Sequence, residues 1–149
     1  GKEGWRSFGG QIRPQDDAAE ARRSAQLAPP VTLPKLLTGL KVIADAPLAK
    51  GTAHVIEGRQ GDAHVRLWLD AQTGLLARMT VRIPTPVGEL PQQIDYEDYR
   101  TVDGVKLPFV VKTNQGGESS TMTYTEIKHG VPVDNAAFAP PRPSAPQGK

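Results

Sequence analysis

The feature that most constrains the fold is a two-residue alternation of apolar and polar side chains between Ala53 and Ile127. It is clearest in AHVRLWLD (63–70) and LLARMTVRI (75–83), where every second residue is apolar. A period of two places alternate side chains on opposite faces of a β-strand and does not fit a helix. Turn sequences with glycine separate the strands, most clearly Asp103-Gly104. The sequence therefore predicts a run of antiparallel hairpins.

The same alternation predicts a strand register. If Leu69 pairs with Leu75 across the turn at 70–74, the pairs that follow along the same face of the two strands are all apolar. On the other face, Arg66 then lies opposite Arg78. The proline-rich segment PTPVGELP (84–91) is predicted to be a loop of about eight residues. If Val81 then pairs with Ile94, both faces of the sheet are satisfied.

An acidic cluster, Asp95, Glu97 and Asp98, lies on the next strand. Paired carboxylates can perform acid–base catalysis when their environments separate their pKa values. The predicted register instead places Lys112 opposite Asp95 and Arg78 opposite Glu97, so cross-strand ion pairs explain the cluster. The alternation slips near Asp98, where we expect a β-bulge.

Outside the hairpins the sequence favours short helices and irregular ends. A surface helix is predicted over 14–28, and a second helix, capped by Thr32, over 33–40. Strands are predicted at 1–8 and 40–48, and one helical turn at 134–138. The proline-rich tail, 142–149, is predicted to be disordered.

The composition excludes several function classes. There is no cysteine, so disulfides, thiol catalysis and covalent c-type haem are excluded for this chain. Basic residues (18) and acidic residues (16) are interspersed, which does not suit nucleic-acid binding. His54 and His64 flank one turn, but no third metal ligand stands out, so we expect no metal site. We also expect no catalytic residues.

Two stretches carry a family resemblance. They are LWLDAQTGLLARMTVRIPTPVGELPQQIDYEDYRTVDGVKLPFVV (67–111) and YTEIKHGVPVDNAAFAPP (124–141). Their order of motifs resembles bacterial envelope proteins of the outer-membrane lipoprotein carrier (LolA/LolB-like) superfamily. The resemblance is closest to the C-terminal domain of cytochrome c subunits related to the photosynthetic reaction-centre cytochrome. It covers 1–141, which would then form a single domain.

The resemblance implies a mainly β (α+β) fold, a curved antiparallel sheet or unclosed barrel with one or two short helices on its open side. It also implies a periplasmic location and no catalysis. The chain does not begin with Met, so we expect it to be processed or part of a larger protein lacking some upstream strands here. Any haem would lie on an upstream segment or a partner chain.

Carriers of this superfamily hold acyl chains in an apolar cavity, which implies a lipid ligand here. The candidate lining is Val65, Leu67, Met79, Val81, Ile94, Tyr96, Phe109 and Val111, with Leu33, Leu36 and Leu37 as a plug. The same residues would also suit a closed core. The opposite face is a candidate surface for a lipid head group or for a cytochrome or other envelope subunit; its residues are Arg66, Trp68, Arg78 and Arg82. A free-standing lipid or lipoprotein carrier and a purely structural docking domain are the alternatives.

Overall fold

The structure, a computed structural model, describes the backbone of residues 4–8, 11–15, 33–132 and 134, and the side chains of 35–132 and 134. The chain divides into two compact units. The first unit comprises Gly1–Leu27 and Gly130–Lys149, and the second comprises Ala28–His129.

The described part of the first unit includes two antiparallel strands. Strand β1 (Gly4–Phe8) pairs with β2 (Gln11–Gln15). The sequence predicted β1 but not β2; Pro14, the predicted first residue of a helix, lies within β2. The rest of that helix, the helical turn at 134–138 and the tail lie outside the described residues, except that Asp134 has no regular structure.

The second unit contains one helical turn followed by seven strands. Its elements are α1 (Leu33–Leu36), β3 (Thr38–Pro47), β4 (Thr52–Gln60), β5 (Ala63–Asp70), β6 (Leu76–Thr85), β7 (Gly88–Val102), β8 (Val105–Gln115) and β9 (Glu118–Thr123). Each strand pairs antiparallel with the next along the chain, so the sheet is a meander with β3 and β9 at its edges. The sequence analysis predicted an antiparallel, unclosed sheet, and the structure confirms this prediction.

Helix α1 is half as long as the sequence predicted. It ends at Leu36, and β3 begins at Thr38 rather than at Leu40. Gly39 has a φ of 64°, a left-handed conformation that a right-handed helix cannot contain. The leucine spacing of 33–40 therefore extends over a helical turn and the start of a strand.

The main apolar cluster is a layer on one side of the sheet, which we call the inner face; Ala53 and Val55 of β4 are also buried, on the other side. The most deeply buried side chains of the layer are Val65, Leu76 and Ile94, and Leu37 joins them from the segment after α1. Complete burial of such a side chain contributes about 1.5–3 kcal/mol. The predicted parity of β5 is confirmed, because Val65 and Leu67 are buried whereas Arg66 is exposed.

The predicted register between β5 and β6 was wrong by two residues. Val65 pairs with Val81, and Arg66 pairs with Thr80 instead of Arg78. The turn is longer than expected because the Asp70 carboxylate accepts hydrogen bonds from the backbone N–H groups of Gln72 and Thr73 and from the Thr73 hydroxyl. A bulge then makes Leu76, not Leu75, the inner-face residue.

The segment 84–91 is not a loop. Strands β6 and β7 continue through it to Thr85 and Gly88, which pair across the two-residue turn Pro86-Val87. The extended strands shift the register by two residues, so Met79 faces Ile94. An even shift leaves every side chain on its predicted face, which is why Met79, Val81 and Ile94 are buried as expected.

The last two hairpins follow the prediction more closely. Val102 pairs with Val105 across Asp103-Gly104, and Asp95 pairs with Lys112, as predicted. The expected bulge at Asp98 is absent, since the register on its two sides is the same; Asp98 instead has a φ of 52°. Strand β9 ends at Thr123, four residues before the predicted end of the hairpin run.

Gly58 allows the start of β3 to lie close to β4. A Cβ atom at this position would be 2.8 Å from Leu40 Cδ2 and 3.2 Å from the Thr38 carbonyl oxygen. The Leu40 side chain can rotate away, but the carbonyl belongs to the backbone of the paired strand.

We expect Gly58→Val to destabilise the protein by about 1–3 kcal/mol, because the added methyl groups overpack this contact. Ala44→Val, at an exposed position of β3, is the control and should change stability by less than about 0.5 kcal/mol. Urea unfolding of both variants measures the difference. Equal stability of the two variants would show that β3 is free to move away from β4.

Candidate functional site

The predicted lining residues all lie on the inner face. Seven of the eight are buried, with exposures from 1% for Val65 and Ile94 to 9% for Tyr96, and Val111 is half-buried. Seven of the eight also belong to one cluster or pack against it; Phe109 lies outside the cluster. Of the predicted plug, Leu37 is buried in the cluster and Leu36 is exposed, whereas the side chain of Leu33 is outside the described residues. Whether this layer receives a ligand stays a prediction.

The inner face also contains polar groups that the sequence analysis missed. Gln92 is 6% exposed, lies opposite Val81, and donates a long hydrogen bond of 3.5 Å to Gln115. The Tyr99 hydroxyl donates a hydrogen bond of 2.7 Å to the Leu76 carbonyl. Burial raises the pKa of Tyr99 to about 12 and that of Tyr96 further still. Both phenols are therefore neutral, as an apolar layer requires.

The other side of the sheet, the outer face, contains a groove of about 840 Å³. Trp68 and Arg66 on β5, Arg82 on β6 and Asn114 on β8 are among its lining residues. Three of the four predicted outer-face residues thus meet in one site. The fourth, Arg78, pairs with Trp68 across the strands but does not line the groove.

Two arginines of the groove have carboxylate partners. The Arg66 guanidinium donates to Glu57 at 2.9 Å, and Lys41 lies 3.6 Å from the same carboxylate. Arg82 lies 3.8 Å from Glu89. The hydrogen bond from Arg66 holds the pKa of Glu57 below its usual value. The predicted pairing of Arg66 with Arg78 does not occur, because Arg66 pairs with Thr80.

The acidic cluster on β7 is engaged in ion pairs, but the partners differ from those predicted. Asp95 accepts from Arg78, and Glu97 accepts from Lys112 at 2.8 Å. Asp98 is bound by Arg100, whose guanidinium lies 4.4 Å from the centre of the Phe109 ring. Arg100 holds the pKa of Asp98 below its usual value. Ion pairing accounts for all three carboxylates.

A row of three side chains lies across β4, β5 and β6, and two of them, His64 and Arg82, line the groove. Arg59 pairs with His64, and His64 pairs with Arg82. The Arg59 guanidinium lies 3.1 Å from His64 Nε2. Because a guanidinium can only donate, His64 Nε2 is the acceptor in this contact. The sequence analysis missed this row because it depends on the register of both hairpins.

The two histidines that flank the turn between β4 and β5 lie on opposite faces of the sheet. His54 pairs with Leu69 on the inner-face side, and its Nδ1 lies 2.7 Å from Asp45. His64 belongs to the outer-face groove. No group of three potential metal ligands occurs among the described residues. No helix within the same part of the chain has the length and apolarity to cross a membrane.

Comparison with known proteins shows the fold. No family model and no curated protein matches the sequence. The crystal structure of a LolA superfamily protein from Nitrosomonas europaea matches with a TM-score of 0.59 and 16% sequence identity. The match covers 93% of this chain and 67% of that chain. The chain therefore has a LolA-like fold, as the sequence motifs implied. The link to cytochrome c subunits stays a prediction.

The lowered pKa of Glu57 leads to a prediction about the stability of the protein at low pH. A carboxylate with a lowered folded-state pKa stabilises the protein above its unfolded pKa, near 4.3, and this contribution is lost as the pH falls through the folded pKa. Glu57→Gln should therefore be less stable than the unmodified protein at pH 7, and the difference should shrink below about pH 4. Urea unfolding at both pH values measures it.

Glu118→Gln removes the same charge at an exposed position of β9 and is the matched control. It should stay close to the unmodified protein at both pH values. A Glu57→Gln difference that does not depend on pH would show that the ion pair with Arg66 does not contribute to stability.

Proposed function

We propose that this protein is a non-catalytic binding module of the bacterial cell envelope that holds an acyl chain against its inner face. The observation that carries the proposal is the LolA-like fold together with the continuous apolar layer across β5 to β8. LolA-like folds are binding and carrier folds and are generally non-enzymatic. The ligand would be a lipid or the acyl chains of a lipoprotein.

The composition of the inner face supports an apolar ligand. Its side chains are aliphatic or aromatic, and the two buried phenols are neutral at physiological pH. Val111, at the half-buried margin of the layer, gives a ligand a point of contact without unfolding the core. Binding would be driven by about 25 cal/mol per Å² of apolar surface removed from water.

Two adjacent valines on β8 allow a matched test. Val111 faces Tyr96 on the inner face, whereas Val110 faces Glu97 on the outer face, and both are half-buried. Delipidated protein is titrated with a fluorescent fatty acid. We expect saturable binding that Val111→Gln weakens about tenfold, the effect of about 1.4 kcal/mol, and that Val110→Gln leaves unchanged.

Thermal unfolding of both variants shows whether the fold is retained. Absence of saturable binding by the folded, delipidated protein would overturn the acyl-chain proposal. Equal weakening by the two substitutions would place the ligand elsewhere than the inner face.

The periplasmic location, and a role as the C-terminal part of a larger electron-transfer protein, belong to the same proposal. They rest on the resemblance of the motifs in 67–111 and 124–141. Under this proposal, haem would be held by an upstream segment or a partner chain. A cytochrome or another envelope subunit is proposed as the partner on the basis of the same resemblance. The two alternatives can be distinguished with the isolated protein. A free-standing carrier would bind the fatty acid, whereas a structural docking domain would not.

A further inference from the structure

The outer-face groove has a floor of uncharged hydrogen-bonding groups. Thr80, Gln93 and Asn114 lie opposite one another on β6, β7 and β8, so they form one row across the sheet. Gln93 Nε2 donates to Asp95, and Asn114 Nδ2 donates to the Ser119 hydroxyl. These contacts orient the two amides, while each keeps further donor and acceptor capacity. A row of amides and a hydroxyl suits a ligand rich in hydroxyl groups.

The row that contains Arg59, His64 and Arg82 adds positive charge beside this floor. The backbones of β4 and β6 lie about 10 Å apart, two strand spacings, with His64 between them. Arg66 lies on the same face of β5, two residues from His64. Arg66 is paired with Glu57, and Arg82 lies 3.8 Å from Glu89. Arg59 has His64 Nε2 as its partner among the described residues, so its charge is not offset by a carboxylate there.

Trp68 supplies an aromatic surface at the other end of the groove. It is half-buried on the outer face, four residues from His64 along β5, a separation of about 13 Å. Its cross-strand neighbour Val55 is 4% exposed, which gives the indole an apolar support. Exposed indole faces stack on the apolar C–H face of sugar rings.

We propose that this groove binds an anionic oligosaccharide. The acidic group of the sugar is bound by Arg59, His64 and Arg82, through charge-assisted hydrogen bonds. The hydroxyl groups of the sugar are bound by the row of Thr80, Gln93 and Asn114, and one sugar ring stacks on Trp68. This site is on the opposite face of the sheet from the acyl-chain site and is independent of it.

The test uses trigalacturonate, an acidic trisaccharide, and maltotriose, its uncharged counterpart. The chain has two tryptophans, so Trp5→Phe leaves Trp68 as the only one, and its fluorescence reports binding in the groove. We expect saturable binding of trigalacturonate, at least about tenfold tighter than that of maltotriose. Calorimetry should show that Trp68→Ala weakens the binding of both sugars.

Arg82→Gln should weaken trigalacturonate binding about tenfold, as loss of a charge-assisted hydrogen bond predicts, and should leave maltotriose binding unchanged. Lys106→Gln, an exposed position far along β8 from Asn114, removes the same charge and should have no effect. Thermal unfolding shows that each variant is folded.

Three results would overturn the proposal: no binding of trigalacturonate by the folded protein, equal effects of Arg82→Gln and Lys106→Gln, or equally tight binding of a tetraglutamate peptide. The last result would assign the groove to an acidic peptide. Fatty-acid binding is measured on the same preparations, so failure at one face is distinguished from failure at the other.

Discussion

The burial of one apolar layer is the constraint on which the rest of this structure depends. Each strand from β5 to β8 contributes side chains to it from every second position, and Leu37 joins it from the segment after α1. Because β-strands have a period of two, this layer also decides which side chains lie on the outer face. The polar groove is therefore a consequence of the packing of the core. A change of register by one residue would exchange the two faces, but a change by two would keep them.

The outer face combines charge pairing with an excess of basic groups in one place. In the middle of β7, Asp95 and Glu97 each have a basic partner, so the charges on this part of the surface are balanced. Around His64, the arginines of β4 and β6 share few carboxylates. Exposed ion pairs contribute little to stability, so the balanced part needs no explanation beyond solubility. The part around His64 is where basic and hydrogen-bonding side chains lie together in a groove that suits a ligand.

The alternation of residues was sufficient to predict the antiparallel sheet, most of the inner-face residues and the hairpin at Asp103-Gly104. It was not sufficient for the exact pairing, because apolar pairs such as Leu67 with Ala77 and Leu67 with Met79 satisfy the same pattern. The turn at Asp70 decided between them through its side-chain hydrogen bonds. Likewise, prolines at 84, 86 and 91 indicated a loop, but Pro84 and Pro91 are within paired strands and Pro86 is in a two-residue turn.

By itself, the sequence determined which side chains are buried together, since parity follows from a local pattern and survives a two-residue error in register. It also carried the motifs that resemble the LolA-like fold. Only the tertiary structure decided which residues face one another across the strands, because pairing depends on turn geometry and bulges at a distance. The row of Arg59, His64 and Arg82 is of this kind, because the registers of two hairpins bring its members side by side.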